Sequence, residues 1–148
     1  MTSPSSFADL DFYVALPRLT NLALSPDGTR LVTSVETLNP KKTGYVSALW
    51  EVDPTGVQPA RRLTRSRKGE SSPVFTDCGD LLFTSRRPDP DDESDDDGPA
   101  TLWLMPAGGS EAHVVCRRPG GVGVVRTAGE VIMLEADVLT NARDEADE

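Results

Sequence analysis

The chain has 148 residues, of which 37% are apolar and 26% charged, and its formal net charge is -9. This length suffices for one folded domain with a hydrophobic core, and the composition differs from that of disordered chains, which have few hydrophobic residues. The negative charge argues against a nucleic-acid-binding protein and against binding to anionic membranes, because both require clustered Lys and Arg.

No targeting or membrane-spanning segment is predicted. The N-terminus lacks the basic and apolar regions of a signal peptide, and no segment approaches the ~20 apolar residues that span a bilayer. Cys78 and Cys116 form neither a metal-ligand spacing nor a disulfide framework. We therefore expect a cytoplasmic protein with reduced thiols and no cofactor.

The first predicted element is a short helix in "SSFADLDFYVALP". Ser5 or Ser6 is expected as its N-cap, and Pro17 is expected to end it. Its apolar face consists of Phe7, Leu10 and Val14. Because an isolated helix of about ten residues is unstable in water, this face needs a partner, which is either the sheet that follows or a separate domain.

A hairpin pattern follows the helix and then recurs. In "LALSPDGTRLVTS" (22–34), the turn Ser25-Pro26-Asp27-Gly28 separates two segments of alternating apolar residues, a pattern typical of two strands joined by a type I turn with a bulge. The segment "PVFTDCGDLLFTS" (73–85) repeats this pattern around Gly79, which lies 51 residues after Gly28. Two further hairpin strands are therefore predicted there.

A tryptophan-containing strand follows each hairpin. "ALWEVDPTG" (48–56) matches "TLWLMPAGG" (101–109), and Trp103 lies 53 residues after Trp50. Another strand is predicted after each, at 60–64 and 112–116, and a third hairpin begins in "GVVRTAGEVIML" (123–134). Units of about 50 residues with four strands are typical of a β-propeller; an antiparallel sandwich with similar hairpins is the alternative.

The predicted fold class is therefore all-β, a partial β-propeller preceded by a short N-terminal helix. The helical segment is expected at 1–18 and the partial propeller at 19–148, with blade 1 at about 19–66, blade 2 at about 67–118 and the start of blade 3 at 119–148. Propellers close with roughly 4 to 8 blades. We expect this chain to be marginally stable alone, to self-associate through exposed blade flanks, or to be completed by other residues or chains.

No catalytic, cofactor-binding or metal-binding residue is predicted. His113 is expected to be a half-buried or exposed strand residue, and the segment from Gly108 to Ala112 lacks the last glycine of the G-x-S-x-G nucleophile elbow. A hairpin turn is expected there instead. Trp50 and Trp103 are expected to pack between blades, with a ligand platform as the alternative.

An acidic segment, "PDPDDESDDDGPA" (88–100), does not fit an EF-hand. When Gly98 takes the invariant glycine position, the early ligands are Glu93, Asp95 and Asp97, but the closing position, which requires a bidentate glutamate, is Leu104. A solvated loop at 89–97 is expected, with loose cation or partner binding as the alternative.

A basic segment lies where blade 1 is expected to lead into blade 2. It contains Arg61, Arg62, Arg65, Arg67 and Lys68. Such segments usually form a solvated face. Contact with a peptide carboxylate or with an acidic neighbouring domain is the alternative.

The chain resembles the N-terminal part of the prolyl oligopeptidase family of serine peptidases, in particular its acylaminoacyl-peptidase-like members. The similar segments are "FADLDFYVALPRLTNLALSPDGTRLV", "SALWEVDP", "RRLTRSRKGESSPVFTDCGDLLF" and "TLWLMPAGG". The resemblance implies a propeller portion that gates the access of short peptides to an α/β-hydrolase domain and scaffolds that domain, which carries the catalytic triad. The alternative is a stand-alone TolB-like interaction module completed by self-association.

Overall fold

The computed structural model describes residues 9–88 and 98–138. Over these residues the chain forms one short helix, α1 (Leu10–Ala15), and ten strands. The strands of the first half are β1 (Arg18–Leu24), β2 (Leu31–Leu38), β3 (Tyr45–Val52), β4 (Arg61–Arg62) and β5 (Glu70–Phe75). Those of the second half are β6 (Leu81–Ser85), β7 (Thr101–Met105), β8 (His113–Cys116), β9 (Val125–Ala128) and β10 (Val131–Leu134).

These strands form three antiparallel sheets in chain order. The first sheet has the order β1-β2-β3-β4 and the second β5-β6-β7-β8, while β9 and β10 form a third, two-stranded sheet. Every strand pairs with the strand next to it in sequence, as expected when short turns connect antiparallel strands. The four-stranded repeat predicted from the sequence is confirmed.

Both predicted hairpin turns form, with one difference in length. Gly28 and Gly79 have φ angles of 73° and 84°, in the left-handed region that favours glycine. Leu24 pairs with Leu31 across the first turn, whereas Phe75 pairs with Leu81 across the second. The second turn is therefore one residue shorter than the first.

The outer strand of the first sheet is shorter than the predicted 60–64. Backbone pairing with β3 involves only Arg61 and Arg62. Beyond them the Leu63 N–H still donates to the Leu49 carbonyl at 2.8 Å, but the Leu49 N–H donates to the Thr64 side-chain oxygen Oγ1 at 2.9 Å. A hydroxyl replaces a backbone carbonyl here, so the ladder ends while the chain stays beside β3.

Two apolar clusters hold the sheets face to face. The first joins the first and second sheets and contains Val32, Leu49, Phe75, Leu81, Phe83 and Trp103. The second joins the opposite face of the second sheet to the third hairpin and contains Leu82, Leu102, Val122 and Val125. Because the second sheet is covered on both faces, every residue of β6 is buried.

The first strands of the three sheets lie beside one another. β1 contacts β5, and β5 contacts β9. The Thr127 hydroxyl of β9 donates a 2.8 Å hydrogen bond to the Phe75 carbonyl of β5. In a β-propeller, antiparallel sheets pack face to face and the first strand of each sheet lies next to the first strand of its neighbour. The three sheets have this arrangement and form a partial β-propeller.

The N-terminal helix differs from the prediction at its start. Its N-cap is Asp9, whose carboxylate accepts hydrogen bonds from the N–H groups of Asp11 and Phe12 at 2.9 and 3.3 Å. Aspartate caps a helix as well as serine does, so the helix begins at Leu10. The predicted caps Ser5 and Ser6, and Phe7, lie outside the described residues.

The end of the helix agrees with the prediction. α1 ends at Ala15, and Leu16 is its C-cap, directly before Pro17. Over residues 9–88 and 98–138, no helix has the length and apolar character needed to cross a bilayer.

Candidate functional site

One apolar face of the first sheet has no partner among the described residues. We call it the open face; it is the side turned away from the second sheet, and it carries Leu22, Leu24, Leu31, Trp50 and Val52 around the buried Thr33. Leu24 is 58% exposed, whereas Phe75, which follows the same pattern in the second sheet, is 5% exposed. The same position of the repeat is thus covered in one sheet and uncovered in the other.

The two tryptophans show the same contrast. Trp103 is 1% exposed and packs between the first and second sheets, which confirms the predicted inter-blade role for this residue. Trp50 pairs with Thr33 on the open face and is only partly buried. Inter-blade packing at Trp50 would require a sheet covering the open face.

The third hairpin leaves apolar side chains exposed as well. Val131, Ile132 and Met133 of β10 are 45–58% exposed. The opposite end of the hairpin is buried, because Val125 packs against the second sheet. Apolar surface is therefore uncovered at both ends of the row of sheets.

A cleft lies between the outer parts of the first and second sheets. Its volume is about 620 Å³. We call it the basic cleft, because its lining includes Arg30, Arg61, Arg62, Arg65 and Arg87. Glu111 is the only carboxylate among its described lining residues, and Leu63, Trp103 and Met105 supply apolar surface.

Two of these arginines are paired with one carboxylate. Arg30 and Arg61 both form salt bridges with Glu51 of β3, the first at 2.6 Å. Burial by itself would raise the pKa of Glu51, but hydrogen bonds and charge from the two arginines together outweigh burial and lower that pKa.

Glu70 lies buried where the first sheet leads into the second. It is 1% exposed, and its two oxygens accept hydrogen bonds from the Thr64 hydroxyl at 2.8 Å and the Ser66 N–H at 3.0 Å. Burial raises the pKa of this carboxyl, since desolvation disfavours its charged form and exceeds the opposing effect of these hydrogen bonds. Glu70 thereby fixes the linker that carries Arg65 at the edge of the basic cleft.

His113 and the segment from Gly108 to Ala112 lie in ordinary structural positions. His113 is an exposed residue of β8. Gly109 has a φ of 82° and donates its N–H to the Pro106 carbonyl at 3.0 Å, so the segment from Gly108 to Ala112 begins in a turn. No hydrogen bond joins Ser110 to His113 within the part of the chain that the structure describes.

The described residues contain no cluster of three or more potential metal ligands. Leu104, the residue at the closing position of the rejected EF-hand pattern, lies within β7. Glu93, Asp95 and Asp97 fall outside the described residues. Cys78 and Cys116 are free thiols.

The predicted basic segment divides in the structure. Arg61, Arg62 and Arg65 line the basic cleft, whereas Arg67 does not, and Lys68 lines a separate cleft beside Tyr45. Sequence reasoning did not identify Arg30 and Arg87 as part of the same surface. Arg30 lies two residues after Gly28 of the first turn, and Arg87 lies two residues after the end of β6, but sequence spacing gives no signal that they converge.

Comparison with known proteins identifies a similar fold. The chain matches the structure of a protein assigned as TolB from Agrobacterium tumefaciens with a TM-score of 0.59 and 17% identity over 86% of this chain. It spans 41% of the length of that protein. No protein-family model matches the sequence, and no curated protein matches it. The similarity is therefore one of fold: this chain is a partial, TolB-like β-propeller.

Proposed function

We propose that this chain is an interaction and scaffolding segment of a β-propeller, in which a further blade docks on the open face. The observation that supports this proposal is the difference between equivalent residues of the two sheets. Phe75, Leu81 and Trp103 are buried against a neighbouring sheet, while Leu24, Leu31 and Trp50 form the same surface without one.

The energy available from covering this face is substantial. Burying a Leu side chain fully contributes about 1.5–3 kcal/mol, and Leu22 and Leu24 are 70% and 58% exposed. Soluble monomers rarely leave contiguous apolar patches beyond a few hundred Å². A blade supplied by adjoining sequence or by a second copy would bury these side chains.

The test is the association state of the purified chain, measured by light scattering. We expect self-association that Leu24→Lys reduces, because a charge on the open face cannot be buried without a partner. Val57→Lys is the matched control, since Val57 is 76% exposed in the loop between β3 and β4. A monomer whose mass and stability are unaffected by Leu24→Lys would contradict the proposal.

A second candidate is more specific: the chain gates and scaffolds a serine peptidase of the prolyl oligopeptidase family. The resemblance in the N-terminal helix and first hairpin supports it, and so does the exposure of helix residues Leu10 (73%) and Phe12 (49%). In this proposal an α/β-hydrolase domain covers those side chains, and the chain itself performs no catalysis.

This candidate has two direct tests. The reading frame downstream of the Glu148 codon in the source genome is expected to encode a G-x-S-x-G motif and a later histidine. A hydrolase domain absent from that frame would count against the candidate. The purified chain is expected not to hydrolyse chromogenic acyl-amino-acid substrates, and turnover that a serine reagent blocks would contradict it.

A further inference from the structure

We propose that the basic cleft binds an acidic peptide segment of a partner protein, whose carboxylates contact Arg62, Arg65 and Arg87. The site lies between the outer parts of the first two sheets, away from the open face. Because the basic cleft and the open face are different surfaces, peptide binding in the cleft is independent of the function proposed above.

The charges lining the cleft do not balance. Arg30 and Arg61 are compensated in part by Glu51. Arg62 and Arg65 form no salt bridge with a carboxylate among the described residues. The charges of Arg87 and Arg62 both act at longer range on the buried Glu70, which compensates them in part. Among the described lining residues, Glu111 is the only carboxylate that opposes them. The cleft is therefore positively charged although the chain as a whole has a net charge of -9. Such a local positive surface favours binding of an anionic partner.

Two of the three proposed contact residues are held in place. The Arg87 guanidinium lies 3.7 Å from the Trp103 ring centroid and 5.4 Å from that of Phe83. The Arg62 Nε donates a 2.6 Å hydrogen bond to the Thr64 carbonyl. Because these side chains are already ordered, binding costs less conformational entropy than it would with flexible lysines.

One residue of the cleft lining, Trp103, carries an unsatisfied hydrogen-bond donor. The Trp103 Nε1 is buried and has no acceptor among the described residues, although buried polar groups are normally hydrogen-bonded. A carboxylate oxygen that reaches the indole would supply this acceptor. The Arg87 guanidinium stacks on the same indole ring, so the group that completes the donor is expected to be anionic.

The size and lining of the cleft favour a peptide. A volume of about 620 Å³ lies within the usual range for small ligand sites, roughly 300–1,000 Å³. Leu63, Met105 and Ala112 provide apolar surface for the methylene groups of glutamate side chains. A nucleic acid would extend beyond the cleft over the surface of a strongly acidic protein, where its phosphates would be repelled.

The test uses the full chain and a fluorescein-labelled peptide, Gly-Glu-Glu-Glu-Glu-Gly, in a fluorescence anisotropy titration. We expect saturable binding that weakens about tenfold with Arg65→Glu, because a charge-assisted hydrogen bond is lost and a repulsive charge is added. The matched control is Arg67→Glu, which makes the same charge change two residues away on the same linker but outside the cleft. It is expected to alter the affinity by less than about twofold, since Arg67 does not line the cleft and exposed charges that make no direct contact interact weakly in water.

Several outcomes would overturn the proposal. Absence of saturable binding would do so, as would equal weakening by Arg65→Glu and Arg67→Glu, which would indicate diffuse charge attraction. Equal affinity for the glutamine version of the peptide would exclude carboxylate recognition. Displacement of the peptide by inorganic phosphate at comparable concentration, or tighter binding of a single-stranded oligonucleotide, would assign the cleft to a different anion. Matching far-UV circular dichroism of the two variants confirms that both are folded.

Discussion

Trp50 and Trp103 occupy the same position in successive sheets, yet they differ in burial. Trp50 pairs across the strands with Thr33, and Trp103 pairs with Phe83. Only Trp103 is covered, at 1% exposure, because the first sheet lies against it. The same repeat position is therefore closed by a neighbouring sheet at Trp103 and open at Trp50.

We expect Trp103→Ala to destabilise the chain far more than Trp50→Ala does. Removing a buried Trp leaves a cavity and typically costs about 3–5 kcal/mol. Trp50 already contacts solvent, so less transfer free energy is lost. Urea unfolding followed by circular dichroism measures both values, and equal losses of the free energy of unfolding would show that the two positions do not differ in packing.

Glu70 is expected to be essential to the junction between the first and second sheets. Glu70→Ala leaves the Thr64 hydroxyl and the Ser66 N–H without their acceptor, and each unsatisfied buried donor costs about 1–3 kcal/mol. Glu70→Gln is the control: its amide oxygen can accept from Ser66, while its NH₂ donates to the Thr64 oxygen. In urea unfolding, Glu70→Gln should have a clearly higher free energy of unfolding than Glu70→Ala. A Glu70→Ala variant as stable as the wild type would refute this role.

The raised pKa of Glu70 should also be visible in the pH dependence of stability. Burial raises its folded pKa above the ordinary value of 4.5, so its contribution is fully present below pH 4.5 and declines as pH rises through the folded pKa. The wild type is expected to lose free energy of unfolding over this window relative to Glu70→Gln, which does not titrate. A difference between the two proteins that stays constant across the window would contradict a raised pKa.

Asp27, in the first hairpin turn, should affect the pH dependence of stability in the opposite direction to Glu70. Its contribution should be lost as the pH falls, and at a lower pH. It accepts hydrogen bonds from the Ser25 hydroxyl at 2.6 Å and from the hydroxyl and N–H of Thr29 at 2.8 and 3.1 Å. These bonds lower its pKa from 3.8 to about 2. Its stabilisation is therefore present above pH 3.8 and is lost as pH falls through about 2.

Asp27→Asn should remove this acid-dependent loss and lower the stability at neutral pH. Asp77 lies in the second hairpin turn and accepts no such hydrogen bonds within the described part of the chain, so Asp77→Asn is the matched control. Thermal unfolding at a series of pH values measures both. If the two variants show the same pH profile, the turn hydrogen bonds of Asp27 do not contribute.

Local sequence patterns predicted most of the secondary structure. The period-two alternation on either side of Gly28 and Gly79 identified the hairpins, because strand side chains alternate between faces and glycine accepts a left-handed turn position. The N-cap was predicted wrongly, since Ser6 and Asp9 are both good caps and the pattern does not distinguish them. The burial of Glu70 was not predicted, because glutamate is usually exposed.

By itself, the sequence determined the repeating strands, their turns and the count of two four-stranded units and a further hairpin, because these depend on side-chain alternation and turn chemistry within a few residues. Only the tertiary structure decided which repeat positions are covered and which side chains meet. Leu24 and Phe75 have similar local contexts, and Arg30, Arg65 and Arg87 are distant in sequence. Their different exposure and their convergence in one cleft arise from the packing of one sheet on the next, which no local pattern encodes.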